Sequence, residues 1–375
     1  MENSKVYFTS LRARPGLNLL QKLNTLIKKA GIENIDFKDK FVAIKIHFGE
    51  PGNLAYLRPN YAKVVVDLIK ELGGKPFLTD CNTLYVGGRR NALDHMDAAY
   101  TNGFSPFSTD CHVIIADGLK GTDETLVPVN GECVKNAKIG RAIMDADIVI
   151  SLNHFKGHEG TGFGGALKNL GMGCGSVAGK KEMHSDDKPY PDTKKCVGCK
   201  LCEKQCAHSA ISYDADGKAE IDHFKCTGCG RCVGVCKFDA LKTSDDVRRD
   251  LLNMKIAEYA LAVVKDRPSF HINLVMDISP NCDCHSENDA PIVPDVGMLA
   301  SFDPVALDMA CVDLVNNQPT FDNSNIGDNL KHHHDEVDGL DNLFMNHPDT
   351  NWKSAISHAV EIGLGSDKYE LIKLD

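Results

Sequence analysis

Apolar residues recur along this chain in two alternating patterns. "KVYFTS" (5–10), "FVAIKIHFGE" (41–50), "PFLTDCN" (76–82), "CHVIIAD" (111–117), "ADIVISLNH" (146–154) and "FHINLVMDIS" (270–279) are short and rich in β-branched and aromatic residues, so they read as buried strands. Between them, "LNLLQKLNTLIKKAG" (17–31) and "YAKVVVDLIKELGG" (61–74) repeat apolar residues at helical spacing and stop at glycine. "DDVRRDLLNMKIAEYALAVVKD" (245–266) predicts another helix. "SFDPVALDMACVDLV" (301–315) predicts one more, with Asp303 as N-cap and Pro304 at its first position. Strands alternating with helices predict an α/β fold, a mostly parallel sheet with helices on both faces.

The pattern breaks between 189 and 243, where lysine, glycine, cysteine and proline replace the apolar runs. The simplest organisation is a discontinuous α/β domain, 1–188 and 244–375, interrupted by a small inserted domain at 189–243. A separate C-terminal domain is the competing organisation.

The inserted stretch carries a doubled motif. "CVGCKLCEKQC" (196–206) and "CTGCGRCVGVC" (226–236) are each C-x2-C-x2-C-x3-C, and the repeat runs on through "AHSAI" (207–211) and "KFDAL" (237–241). Eight cysteines so spaced point to two [4Fe–4S] clusters rather than structural zinc. Three thiolates of a run wrap one cluster and the fourth reaches the other. The expected sets are Cys196, Cys199, Cys202 and Cys236, then Cys226, Cys229, Cys232 and Cys206. "ISYDADGKAEID" (211–222) between them reads as a hairpin on an Asp-Gly turn.

Composition narrows the function. The 375 residues are 42% hydrophobic and 25% charged, with a formal charge of −10. An acidic balance argues against a nucleic-acid partner. No stretch approaches the roughly 20 apolar residues of a membrane span, and "MENSKVYFTS" lacks a secretory pattern. With its cysteines in metal-ligand spacing, a reduced, cytoplasmic protein is expected.

In open α/β sheets, ligands bind outside the carboxyl ends of the strands. There the sequence offers His47, Gly49 and Glu50; Asp80, Cys81 and Asn82; Asn153, His154 and His158; and Cys282, Cys284 and His285. In "HFKGHEGTGFGGALKNLGMGCG" (154–175), Gly160, Gly162, Gly164 and Gly165 precede a predicted helix carrying Lys168. These glycines are candidates for holding an anion or cofactor on backbone N–H groups. In "NCDCH" (281–285), thiolates at i and i+2 reach one soft metal ion, form a reversible thiol pair, or simply pack. Cys174 and Cys311 read as packed thiols, although Cys174 also adjoins the candidate site. "KHHHDE" (331–336) reads as a solvated loop.

Two resemblances follow from these residues. The cysteine-rich stretch resembles bacterial two-cluster ferredoxins, departing from them at Ala207 and Lys237, where they place proline. "DCNTLYVGGRRNALDH" (80–95), "HFKGHEGTGFGGALKNLGMGC" (154–174), "GKKEMH" (179–184) and "SFDPVALD" (301–308) resemble the domain-of-unknown-function family 362. That resemblance implies an α/β domain accompanied by a ferredoxin-type insert, and no particular reaction. "GFGGALK" (162–168) is also distantly similar to a segment of nickel-dependent lactate racemases.

The expected function is an iron–sulfur oxidoreductase of anaerobic or low-oxygen metabolism, passing single electrons between a redox partner protein and the sheet edge. His154, His158, Lys168, Cys282 and Cys284 are the expected catalytic residues, holding a small anionic substrate, a third metal or an organic cofactor. The alternatives are a non-catalytic electron carrier and a metal-dependent isomerase or lyase with structural clusters.

Overall fold

Strand Ile148–His154 is buried at every position, and the main sheet extends to either side of it. The computed structural model describes residues 3–374 other than 187, 239, 243–245 and 333–340. The sheet contains β1 (Ser4–Ser10), β2 (Phe41–Lys45), β3 (Lys75–Asp80), β4 (His112–Ile115), β5 (Ile148–His154), β6 (Ser269–Val275), β7 (Gly297–Ser301) and β8 (Tyr369–Lys373). Their order is β8-β1-β7-β6-β5-β2-β3-β4, and only β7 runs antiparallel to its neighbours.

Both faces are covered, which explains the near-continuous apolar runs of the central strands. Ile44, Ile150 and Ile272 point into one core with Leu23, Leu26 and Ile27 of α1 (Leu19–Lys29) and Val65 and Ile69 of α2 (Pro59–Glu71). Val149 and Leu299 point the other way, into a core with α3 (Ala166–Cys174), α4 (Asp246–Val264) and α5 (Pro304–Asn316). Asp303 caps α5 by accepting from the Val305 and Ala306 N–H groups, with Pro304 at the first position, as the sequence predicts. Helices α3 and α4 approach closely at Gly171, where an added Cβ would lie 2.1 Å from the Ile256 carbonyl oxygen.

The large sheet draws its strands from 4–154 and 269–373. Residues 190–242 instead form short ladders of their own. Tyr190–Pro191 pairs antiparallel with Leu241–Lys242, so the segment leaves and re-enters the larger body at one place. Ile211–Tyr213 and Ala219–Ile221 make the expected hairpin, closed at Gly217 with φ +74°. Positions 333–336 of the histidine run lie outside the described residues. No helix among the described residues is long and apolar enough to cross a membrane.

Candidate active site

The chain runs β2, β3, β4 toward one edge, then returns to place β5 beside β2 and continues toward the other edge. This reversal opens a crevice at the carboxyl ends of β2 and β5. A cavity of about 120 Å3 lies there, and His154, His158, Lys168, Cys282 and Cys284 all line it. Residues distant in sequence meet because β5, β6 and α3 converge on that edge.

Cys282 is buried, with the Lys168 ammonium 3.6 Å from its sulfur. A hydrogen bond from the Cys284 thiol pulls the Cys282 thiol well below its ordinary range; burial opposes this, while Lys168, Lys156 and a hydrogen bond from His158 reinforce it. The same bond, seen from its donor, pushes Cys284 well up, helped by burial. Both directions make Cys282, with Lys168 beside it, the more acidic thiol of the pair.

Asp283 between them has no solvent exposure. Burial alone would raise its carboxyl, but His154 and Lys156 outweigh burial and hold it below the usual range. His154 donates through Nδ1 to Asp283 Oδ2 at 2.9 Å and through Nε2 to the Met276 carbonyl at 2.8 Å. Both ring nitrogens are thus committed in this arrangement, where His154 positions the loop. His158 keeps a working edge. Its Nδ1 accepts from the Gly160 and Thr161 N–H groups at 3.0 and 3.2 Å, leaving Nε2–H toward Cys282.

The opposite wall comes from the second cysteine run, since Cys229, Gly230 and Arg231 line the same cavity. Arg231 donates to the Cys284 carbonyl at 2.8 Å and to His285 Nδ1 at 2.7 Å, and lies 4.6 Å from the Tyr85 ring centroid. An arginine only donates, so His285 Nδ1 accepts and Nε2 carries the proton, given to Glu159 at 2.8 Å. Glu159, Cys284 and His285 offer donor atoms within 4.8 Å of one another. With Nε2 protonated, the histidine has no lone pair for a metal in this arrangement.

Buried charges also line the cavity. Arg89 bonds Glu50 at 2.9 Å and the Tyr85 hydroxyl at 2.6 Å, and Lys45 pairs with Asp80 at 2.9 Å. His184, also in the wall, is pushed down to about 3, first by burial and then by Lys168. The strand-end pattern marks Glu50 and Asp80. It misses Tyr85, Arg89, Lys156, Glu159, His184 and Arg231.

The glycine-rich stretch leads into helix α3. Helix α3 begins at Ala166, and its first free N–H groups, of Ala166 and Leu167, go to the Asp308 carboxylate at 2.7 and 2.8 Å. Gly160 donates to His158, while Gly162 and Gly164 sit in a hairpin with Lys156–His158. A Cβ at Gly165 would meet Asp308 at 2.3 Å and one at Gly162 would meet Trp352 at 2.7 Å. Gly162 and Gly165 thus permit close packing, while a Cβ at Gly164 would make only ordinary contact with Lys156 at 3.5 Å.

The eight motif cysteines line two further hollows. Cys196, Cys199, Cys202 and Cys236 share one, and Cys226, Cys229, Cys232 and Cys206 share the other. The Ala219, Ala210 and Ala240 N–H groups donate to the sulfurs of Cys196, Cys206 and Cys236 at 3.4, 3.3 and 3.3 Å. Cys174 and Cys311 are buried, and burial pushes the Cys174 thiol up to about 12.

The family model for a domain of unknown function, DUF362, matches residues 42–313, which takes in the sheet from β2 to β7 and both cysteine runs. The chain belongs to the DUF362 family. This DUF362 protein is 28% identical over 167 residues to a thylakoid-associated protein of Synechocystis sp., covering 44% of this chain and 47% of that one. Among solved structures it is similar to a protein from Thermotoga maritima (TM-score 0.41, 14% identity, 80% of this chain and 59% of that one). It is likewise similar to the lactate racemase apoprotein from Thermoanaerobacterium thermosaccharolyticum (TM-score 0.40, 11% identity, 84% and 58%). The chain spans about half the length of that curated relative and less than two thirds of either solved chain.

Proposed function

We propose that this DUF362 protein is an iron–sulfur oxidoreductase that passes single electrons between an external redox partner and the cavity at the strand ends. The observation that carries the reading is the shared wall: Cys229 and Arg231 of the second cysteine run face the same hollow as Cys282 and Cys284.

The cysteine sets suit [4Fe–4S] clusters better than zinc. Each hollow gathers the four cysteines that the doubled spacing pairs, crossing over at Cys206 and Cys236. Four thiolates on one zinc ion stand ~3.8 Å apart; among the described residues, no three cysteine sulfurs come within 4.8 Å of one another. A cube holds its thiolates farther apart. The alanine N–H donors stabilise thiolates and tune a cluster's potential. When bound, the clusters supply one-electron transfer.

The two runs differ in surroundings. Val197 is 55% exposed, and Cys199, Lys200 and Leu201 beside it are exposed; this first run is the face for an external partner. The second run, with Val-Gly-Val where the first has Glu-Lys-Gln, turns to the cavity through Cys229, Gly230 and Arg231. A carrier with no reaction of its own has no use for a buried dithiol flanked by Lys168 and His158, which favours the enzyme.

Anaerobic purification with iron, acid-labile sulfide and zinc analysis tests the reading. The expected content is about eight iron and eight sulfide per chain, falling by about half in a Cys229→Ser/Cys232→Ser variant. Stoichiometric zinc without sulfide would overturn it.

A further inference from the structure

We infer that Cys282 and Cys284 form a redox-active dithiol whose substrate is a small anionic disulfide. The inference deepens the proposed function by naming a substrate class, and rests on that reading for the source of electrons.

The loop around the two thiols is pinned on every side except the cavity. His154 and Lys156 hold the Asp283 carboxylate at 2.9 and 3.5 Å, and the Glu50 N–H holds its carbonyl at 2.9 Å. Arg231 holds the Cys284 carbonyl at 2.8 Å, and the His285 N–H returns to the Cys282 carbonyl at 3.0 Å, closing a turn. Residues two apart span at most ~7 Å, and a turn shortens this into the range that a disulfide bridges.

Metal binding fits these surroundings less well. Both nitrogens of His154 donate to oxygens, Nδ1 of His158 accepts two backbone N–H groups, and Nε2 of His285 carries a proton toward Glu159. What remains facing Cys282 is the other thiol and a cation, the setting of a reactive thiolate. The packed thiols Cys174 and Cys311 differ, bonding the Asn169 carbonyl and the Asn273 amide.

The preference for an anion comes from Lys168. Lys45 and Arg89 are matched by Asp80 and Glu50, whereas among the described residues no carboxylate pairs with Lys168.

The Cys282 thiolate attacks one sulfur of R–S–S–R, forming Cys282–S–S–R and expelling RS−, which takes the Cys284 proton. The Cys284 thiolate then attacks the Cys282 sulfur, closing the Cys282–Cys284 bridge and releasing the second RS−. The dithiol has lost two electrons, and the substrate has become RSH and RS−. Two electrons from an external one-electron donor protein, with one proton, restore the starting thiolate and thiol.

The test uses the full-length, anaerobically purified protein with dithiodiglycolate as the anionic disulfide and cystamine as its cationic counterpart. Mass spectrometry of peptides maps the products. Wild type should give a Cys282–Cys284 bridge, and Cys284→Ser should trap one thioglycolate on Cys282. Cys282→Ser should trap none on Cys284. In the Cys284→Ser background, Lys168→Met should slow labelling by dithiodiglycolate about tenfold relative to cystamine, the loss of one partly buried charge pairing. Labelling confined to other cysteines, or first attack at Cys284, overturns the dithiol assignment. Equal preference for the two probes overturns the anionic substrate. Iron and sulfide counts on the same sample keep the claims apart: an adduct without clusters removes the oxidoreductase reading alone, and clusters without an adduct remove the dithiol alone.

Discussion

Asp283 has its carboxylate closed off from water between His154 and Lys156. Removing one member of such a buried pair strands its partners, at a cost of about 3–5 kcal/mol. Asp283→Asn should therefore lower unfolding stability by about that amount in urea titrations. Its pH behaviour follows from a folded value held below the unfolded one of roughly 3.9. The wild-type contribution is complete above the unfolded value and is lost as pH falls through the folded one. The variant should lack that acid-side loss. Arg231 gives a second prediction. Arg231→Met removes two hydrogen bonds from a charged group, each worth about 1.5–3 kcal/mol, yet leaves every cysteine in place. Iron content should be unchanged while Cys284 becomes faster to alkylate; unchanged alkylation would argue that the contact does not restrain the loop. Cys282, Cys284 and His158 were legible because polar residues just beyond apolar strands mark a sheet edge, and Lys168 because it follows the glycine-rich stretch on a predicted helix. Arg231 was not, since it lies inside a cysteine motif. The available signal was a break in the internal repeat, where Arg231 stands opposite Leu201. The role of His154 was equally hidden, because its partner Asp283 is 129 positions away.

Helix α3 carries Lys168 into the cavity and is seated by its glycines against α4 and α5. At Gly171 a methyl group would gain about 1 kcal/mol of helix propensity but would press on the Ile256 backbone carbonyl at 2.1 Å. Backbone yields less readily than a side-chain tip, so overpacking at about 1–3 kcal/mol should win. Gly171→Ala is expected to lower stability and to shift α3, measurable as a reduced urea midpoint with altered reactivity of Cys282. The glycine-rich stretch shows what pattern reading confuses. Glycines that admit a ligand and glycines that admit a neighbouring helix look alike until the partner, here Asp308 or Ile256, is known. Strands β7 and β8 escaped for a related reason. "GMLAS" adjoins a helix cap and "YELIK" mixes polar with apolar positions, so each becomes a strand only through its neighbours.

Across the whole molecule, the alternation of strands and helices was enough to read an α/β sheet, but strand order was not, because β2 and β5 pair across about 100 residues. That order creates the crevice. The meeting of Tyr190–Pro191 with Leu241–Lys242 then sets the cysteine-rich segment beside it, with Arg231 reaching the NCDCH loop. The second cysteine run and the NCDCH loop thereby share one cavity, the arrangement on which the proposed electron path rests. The most direct test of that connection starts from protein whose Cys282–Cys284 bridge has been formed anaerobically. Reduced methyl viologen, a one-electron donor, is added, and the two thiols are counted by differential alkylation. The account predicts rapid opening of the bridge with two viologen radicals consumed per chain, and little opening in the Cys229→Ser/Cys232→Ser variant. Equal rates in the two proteins would contradict it.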